Sequence, residues 1–262
     1  MPHHAQRIET PLEVLVHRGA EAVVFKPAGL SSERGQGDRG DCVARRAEVQ
    51  FSWPQCWLAH RLDRPTRGIM VLAGSSESAA LHSEEIRRGS WTKWYFARIP
   101  IHHNDRPASG LVGDHRAYLK RAGRLASLVR SGGAPSRLSI LAVEPSQDNP
   151  SEAHALIRLD TGRFHQIRVM LAGLGFPLVG DIDYGAPATS KRATMRTLEY
   201  PEIDLEAVAL RVVRSEQAAI YRLRHHPARQ GVSEELERAL DRALEATGPP
   251  RPPTLEGDLN DC

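Results

Sequence analysis

Apolar and polar positions along this chain fall into runs that separate strands from helices. Val23, Val24 and Phe25 form a short apolar run closed by Pro27-Ala28-Gly29, which predicts a strand over 21–26 ending in a turn. The glycine-rich, charged stretch from Ser31 to Gly40 is expected to be a loop. Ile69-Met70-Val71-Leu72-Ala73 is apolar at every position, as a fully buried strand requires. Ser75 and Ser76 offer N-caps for a helix carrying Ala79, Leu81 and Ile86, and Gly89 suits its C-terminal stop. From Trp91 to Ile101 a period of two sends Lys93, Tyr95 and Ala97 to one face and Trp94 and Phe96 to the other.

Residues 102–134 break this periodicity with Gly, Arg and His. Apart from a strand over Ala117–Lys120, they are expected to form an irregular loop region or ragged hairpin, either a lid over a substrate or a surface insertion. Helical spacing returns between Arg163 and Leu174, where Ile167, Leu171 and Leu174 share a face and Gly175 with Pro177 ends the helix. His165 and Arg168, three residues apart, are then expected together on its exposed side. A last helix over Ser233–Ala246 carries a narrow stripe of Leu236, Leu240, Ala243 and Leu244, and is either a docked appendage or a partner-binding element. The proline-rich ending cannot pack a core and is expected to be mobile. These boundaries divide the chain into an N-terminal extension (1–11), a main domain (12–225), a C-terminal helix (226–247) and a tail (248–262).

Composition narrows the class. A chain of 262 residues, 40% hydrophobic, can bury a full core. Three cysteines without paired metal spacing point to a reducing, cytoplasmic compartment. No apolar run reaches the ~18 residues of a membrane span, and the first residues lack a signal-peptide pattern, so no membrane partner is expected. All but four of the 35 basic residues are arginine, which suits phosphate recognition or equally reflects a GC-rich genome. With a net charge of only +3, a nucleic-acid partner would need a localised basic cleft. The adjacent pairs His3-His4, His102-His103 and His225-His226 point to opposite sides of an extended chain and are expected on the surface, so no metal is expected. With no glycine-rich dinucleotide turn and no phosphate-binding loop, no cofactor is expected either.

Candidate chemistry centres on His60-Arg61-Leu62-Asp63-Arg64-Pro65-Thr66-Arg67-Gly68, one carboxylate among three arginines and a histidine ahead of a buried strand. Guanidinium groups would keep Asp63 ionised, available as a nucleophile or as the partner of Arg61 or Arg64 in a structural ion pair. This segment resembles the nucleophile motif HRLDxxTSG of the RluA-type RNA pseudouridine synthases, with Pro65 and Arg67 departing from it. Asp160-Thr161-Gly162-Arg163-Phe164-His165-Gln166-Ile167-Arg168 through Gly180-Asp181 to Tyr184-Gly185 is similar to the family's TGRTHQIR…GDxxYG signature, with Phe164 for threonine and Met170 for histidine. Val23–Leu30 resembles its VxNKPxG opening, with Phe25 for asparagine, and Lys93-Trp94-Tyr95-Phe96-Ala97 its KxYxA strand. Ala134–Val143 and Ala153–Leu159 fit the two strands before the TGR turn. The likeness covers roughly residues 12–213 and is weakest over 101–134 and after Gly185.

The resemblance implies an α+β pseudouridine synthase fold: a mixed, largely antiparallel bent sheet with flanking helices and a central cleft, without the accessory N-terminal RNA-binding domain of many relatives. It implies that Asp63, Tyr95 and Arg168 meet as the catalytic group, Arg168 pairing with Asp63. Tyr95 would stack on uracil or assist proton transfer, and without the motif would be an ordinary core tyrosine. His60, Arg61, Arg64, Arg163, His165 and Gln166 are the candidate substrate contacts, or else packing of the motif. The implied reaction isomerises uridine in a tRNA or rRNA stem-loop to pseudouridine: the N1–C1′ bond breaks and C5 joins C1′, with no redox change and no metal or cofactor. Asp63 would attack C1′, add to C6, or assist a glycal intermediate. A monomer is expected, and a catalytically silent RNA-binding protein of the same fold is the alternative.

Overall fold

The computed structural model describes residues 10–35, 40–185, 202–214, 217–224 and 229–246. In chain order the strands and helices are β1 (Glu13–Arg18), β2 (Glu21–Lys26), α1 (Val43–Gln50), β3 (Arg67–Ala73), α2 (Ser76–Arg87), β4 (Trp91–Pro100), β5 (His102–His103) and β6 (Arg106–Pro107). They continue as β7 (Gly113–Ala122), β8 (Leu125–Val129), β9 (Ala134–Pro145), β10 (Glu152–Leu159), α3 (Gln166–Gly173), β11 (Leu205–Arg214), β12 (Gln217–Arg222) and α4 (Glu234–Glu245). The main sheet runs β1-β2-β3-β11-β4-β10-β9-β7-β8, with β12 also on β11, while β5 and β6 pair apart from it. This is the expected α+β, largely antiparallel architecture.

The parallel junction of β3 and β11 joins the two halves of the sheet. There Arg67 and Gly68 face Glu206 and Ala207. Gly68 has φ +121°, and a Cβ on it would lie 2.4 Å from the Ala207 carbonyl oxygen, so only glycine lets the strands meet. Arg67, a departure from the family pattern, is absorbed beside this junction. Its buried guanidinium donates to Asp204 at 2.8 Å and Glu206 at 3.1 Å. Glu206 also holds Arg229, which reaches Glu237 of α4.

Strand alternation splits the core as the sequence pattern requires. Tyr95, Ala97 and Ile99 join the large core that includes Val43 and Ala47 of α1 and Ile167, Val169 and Leu171 of α3. Trp94 and Phe96 face the other way, onto Leu236, Leu240 and Leu244 of α4. The C-terminal helix is therefore docked on the sheet, capped by Ser233 accepting from the Leu236 N–H.

Three local expectations change. In α2, Leu81 is 51% exposed, and the inward residues are His82 and Glu85. A polar partner set explains this: Glu85 accepts from Trp91 Nε1 and Arg214, and His82 lies 3.1 Å from Glu21. Residues 102–134 are largely ordered, with β7 and β8 forming a hairpin that extends the sheet from β9. This is the hairpin of the two alternatives, and its first strand is longer than the predicted Ala117–Lys120 because an edge hairpin exposed on most positions shows no apolar face. Helix α3 begins only at Gln166, after His165 in the left-handed region at φ +55°, and Arg168 is buried rather than exposed. The proline-rich tail, residues 1–9 of the N-terminal extension and part of the Ser31–Gly40 loop lie outside the described residues.

Candidate active site

Asp63 sits in the turn that leads into β3, closed by the Thr66 N–H donating to the Asp63 carbonyl at 3.0 Å. Beneath it lies Lys26, the last residue of β2 and fully buried. Its ammonium donates to the carbonyls of Leu30 (2.7 Å), Pro27 (3.0 Å) and Arg64 (3.0 Å), tying the first turn to the Asp63 loop. Burial lowers its pKa to about 7, against the attraction of Asp63. Neither arginine neighbour in sequence pairs with Asp63. Arg61 turns to Glu33, and Arg64 Nε donates to the Gly29 carbonyl at 2.9 Å.

The cation that faces Asp63 is Arg168, as expected, but at long range. Its Nη1 lies 3.9 Å from Asp63 Oδ2, whereas its bidentate partner is Asp181, at 2.7 and 2.8 Å. Asp183 adds a contact at 3.2 Å. Gly180 allows this placement: at φ +85° it passes so close to the Glu202 carbonyl that a Cβ would lie 2.2 Å from it. Arg168 is thus gripped from behind and presents one nitrogen to the cleft, a preorganised positive edge.

His165 is the second group facing Asp63, its Nε2 4.0 Å from Oδ2. His165 Nδ1 lies 2.9 Å from the Tyr184 hydroxyl, which accepts from the Ala126 N–H at 2.7 Å, and Arg168 Nη1 lies 3.2 Å from Nε2 and 3.3 Å from Nδ1. Burial, and then Arg168, push the His165 pKa down to about 4, so the ring is neutral near pH 7.

Asp63 keeps a quarter of its side chain exposed. Burial raises its pKa to about 6, and Arg168 and Lys26 pull against that rise. Tyr95 lines the same cleft from β4. Burial and the nearby Asp63 hold its phenol well above the ordinary range, so it stays protonated. Among the described residues its hydroxyl has no hydrogen-bond partner.

These groups open on a cleft of about 1230 Å³, also lined by His60, Arg61, Arg116, Arg137, Arg163 and Phe164. It is larger than the ~300–1,000 Å³ typical of small-molecule pockets, and suits a polymer segment. Arg163, mostly exposed, reaches the Pro135 carbonyl with Nε at 3.3 Å. Gln166 is buried, and its amide is used internally: Oε1 accepts from Thr161 and the Arg163 N–H, and Nε2 donates to the Arg137 carbonyl. It braces the TGR turn while also lining the cleft. Arg64 is outside the cleft lining, and His60, which lines it, accepts the Val71 N–H on Nε2 at 3.0 Å. Sequence reasoning missed Lys26, Asp181 and Tyr184 as site residues. Their signal lay in the quoted motifs, but only the packing reveals which groups they hold. Among the described residues, no group of three or more His, Cys, Asp or Glu is placed to hold a metal ion, and no helix is long and apolar enough to cross a membrane.

A family model described as RNA pseudouridylate synthase matches residues 22–173. The chain is 34% identical over 167 residues to the dual-specificity RNA pseudouridine synthase RluA of Escherichia coli K12, covering 63% of this chain and 73% of that protein. It is 29% identical over 179 residues to an uncharacterized RNA pseudouridine synthase of Haemophilus influenzae, 66% of this chain and 74% of that protein. In fold it resembles human RNA pseudouridylate synthase domain containing 1, with a TM-score of 0.66 at 21% identity, covering 91% of this chain and 96% of that one.

Proposed function

The chain belongs to the RluA-type RNA pseudouridylate synthase family, and from that premise we propose that Asp63 is the nucleophile with which it isomerises a uridine to pseudouridine. The observation that carries the assignment is the unclaimed carboxylate edge. Asp63 Oδ2 stands about 4 Å from both Arg168 Nη1 and His165 Nε2, while Arg61 and Arg64 are engaged elsewhere. An aspartate placed for structure alone would be expected in direct hydrogen-bonded contact with one of its four cationic neighbours.

The chemistry follows from what each group can do. Ionised Asp63 supplies the electron pair, whether it attacks C1′, adds to C6 or assists C2′ deprotonation. Arg168, held by Asp181, steadies that charge before the uridine arrives and the charge that develops on the detached uracil. The His165 ring stands as a neutral imidazole beside the same oxygen. Tyr95 presents an aromatic face for the uracil, and its high pKa suits it to stacking and hydrogen-bond donation rather than to accepting a proton. The base rotates, C5 bonds to C1′, the C5 hydrogen leaves to solvent and N1 takes up a proton.

The uridine must leave its stack to reach Asp63, at a cost of a few kcal/mol that is least in a loop. The substrate proposed is therefore a tRNA or rRNA stem-loop, contacted by Arg61, Arg163 and the walls at His60 and His165. The protein is proposed to act as a monomer in the cytoplasm. Nothing at the site favours a catalytically silent RNA binder. RNA labelled with tritium at uracil C5 tests the assignment. The chain should release tritium and Asp63→Asn should release none, with RNA affinity kept within about tenfold because many phosphate contacts remain. Wild-type release that persists in Asp63→Asn would overturn it.

A further inference from the structure

Lys93 is a half-buried cation that the proposed chemistry leaves unused. It lies two residues before Tyr95 on the same face of β4 and lines the cleft on its α2 side, with His60, Ile86 and Arg87. Among the described residues its ammonium makes no hydrogen bond and no ion pair; its one contact is with the Trp91 ring, 5.6 Å from the centroid. The arginines at this side do not share that condition, since Arg61 pairs with Glu33 and Arg87 with Glu84. A second donor there is also unmet. His60 accepts the Val71 N–H on Nε2, which puts its proton on Nδ1, and Nδ1 is buried with no partner. An ammonium without an acceptor on the cleft wall is a natural partner for an anionic ligand, and the buried, unmet His60 N–H adds a favourable dipole to the same wall.

We propose that Lys93 Nζ, backed by the Nδ1–H of His60, is a phosphate subsite that takes a phosphodiester of the RNA beside the uridine held against Tyr95. This rests on the reading of the cleft as the uridine site. Two strand residues span roughly 6.6–6.8 Å, so the lysine stem reaches the backbone of the nucleotide whose base lies on Tyr95. Burial lowers the Lys93 pKa to about 8, so the ammonium is still charged near pH 7. Burial and the positive charge of Lys93 hold His60 neutral, so it can donate from Nδ1 without a second buried charge. The subsite fixes where the backbone enters and so sets which nucleotide meets Asp63.

Two measurements test this. The chain has four lysines, so carbon-13 at the lysine Cε gives few resonances, and Lys93→Arg identifies the one that matters. Titrated with inorganic phosphate at constant ionic strength, that resonance should shift saturably; a resonance that stays fixed while the protein remains folded overturns the subsite. On tritium-labelled RNA, Lys93→Met should raise KM about tenfold with kcat within about threefold, and lower the slope of log KM against log salt by about 0.7–0.9, one phosphate contact. Lys93→Arg should restore most of both. A fall in kcat and melting temperature with the salt slope unchanged would make Lys93 structural and overturn the proposal. If the wild-type chain released no tritium, the uridine reading would fail, and the phosphate titration would still decide the subsite.

Discussion

At Asp63 burial and the surrounding cations oppose each other, and burial is the stronger, leaving a pKa of about 6 rather than the ordinary 3.8. Because the reaction needs the ionised form, kcat/KM should fall tenfold per pH unit below about 6 and level off above it; a profile flat down to pH 5 would exclude Asp63. The same shift sets a stability prediction. The ionised carboxylate destabilises the folded state most above pH 6, and the penalty fades as pH falls toward 4. Asp63→Asn removes it, so that variant should melt no lower than wild type at pH 7–8, by a gain of at most about 3 kcal/mol before screening at its exposed edge. Arg168 carries the opposite expectation. Arg168→Ala strands buried Asp181 and should cost about 3–5 kcal/mol along with turnover. Wild-type turnover and melting in that variant would refute its role. The sequence made Asp63 and Arg168 legible as a pair. That Arg168 is anchored by Asp181 and stands off from Asp63 was not, because motif spacing carries no distances.

Among the elements, α4 shows what pattern can and cannot settle. Its stripe of Leu236, Leu240 and Leu244 was readable, but a narrow apolar stripe fits a docked helix and an unpartnered one equally well. Contact with Trp94, Phe96, Leu156 and Val208 decided it. Leu240→Ala should therefore cost about 2–5 kcal/mol in thermal or denaturant unfolding while leaving KM for RNA unchanged at low temperature. An unchanged midpoint would mean that the helix is not part of the cooperative core. Helix α2 taught the converse: its inward face is His82 and Glu85, and a hydrophobic count pointed to Leu81 instead. Polar residues can face inward there because Glu21, Trp91 and Arg214, distant in sequence, supply their partners. The β7–β8 hairpin was legible only as a short strand and one of two alternatives for a related reason, since backbone pairing on β9 defines it more than apolar burial.

Over the whole molecule, paired carboxylates respond to pH with the opposite sign to Asp63. His82 and Arg214 hold Glu21 down to about 2, against an ordinary 4.5, and Glu85 and Asp148 are lowered by similar partners. Their stabilisation is complete above about pH 4.5 and is lost as pH falls toward 2. Melting followed by circular dichroism should thus drop steeply below pH 4.5; a melting temperature flat to pH 3 would show that these pairs contribute nothing. The sequence by itself determined the family, the α+β class, the strand that carries Tyr95 and the carboxylate proposed here as the nucleophile, because motifs and periodicity are properties of neighbours along the chain. Only the tertiary structure decided which groups meet: Asp181 on Arg168, Tyr184 on His165, Glu33 on Arg61 and, among the described residues, no carboxylate on Lys93. Long side chains choose partners by distance and burial, and those are fixed when remote segments fold against one another.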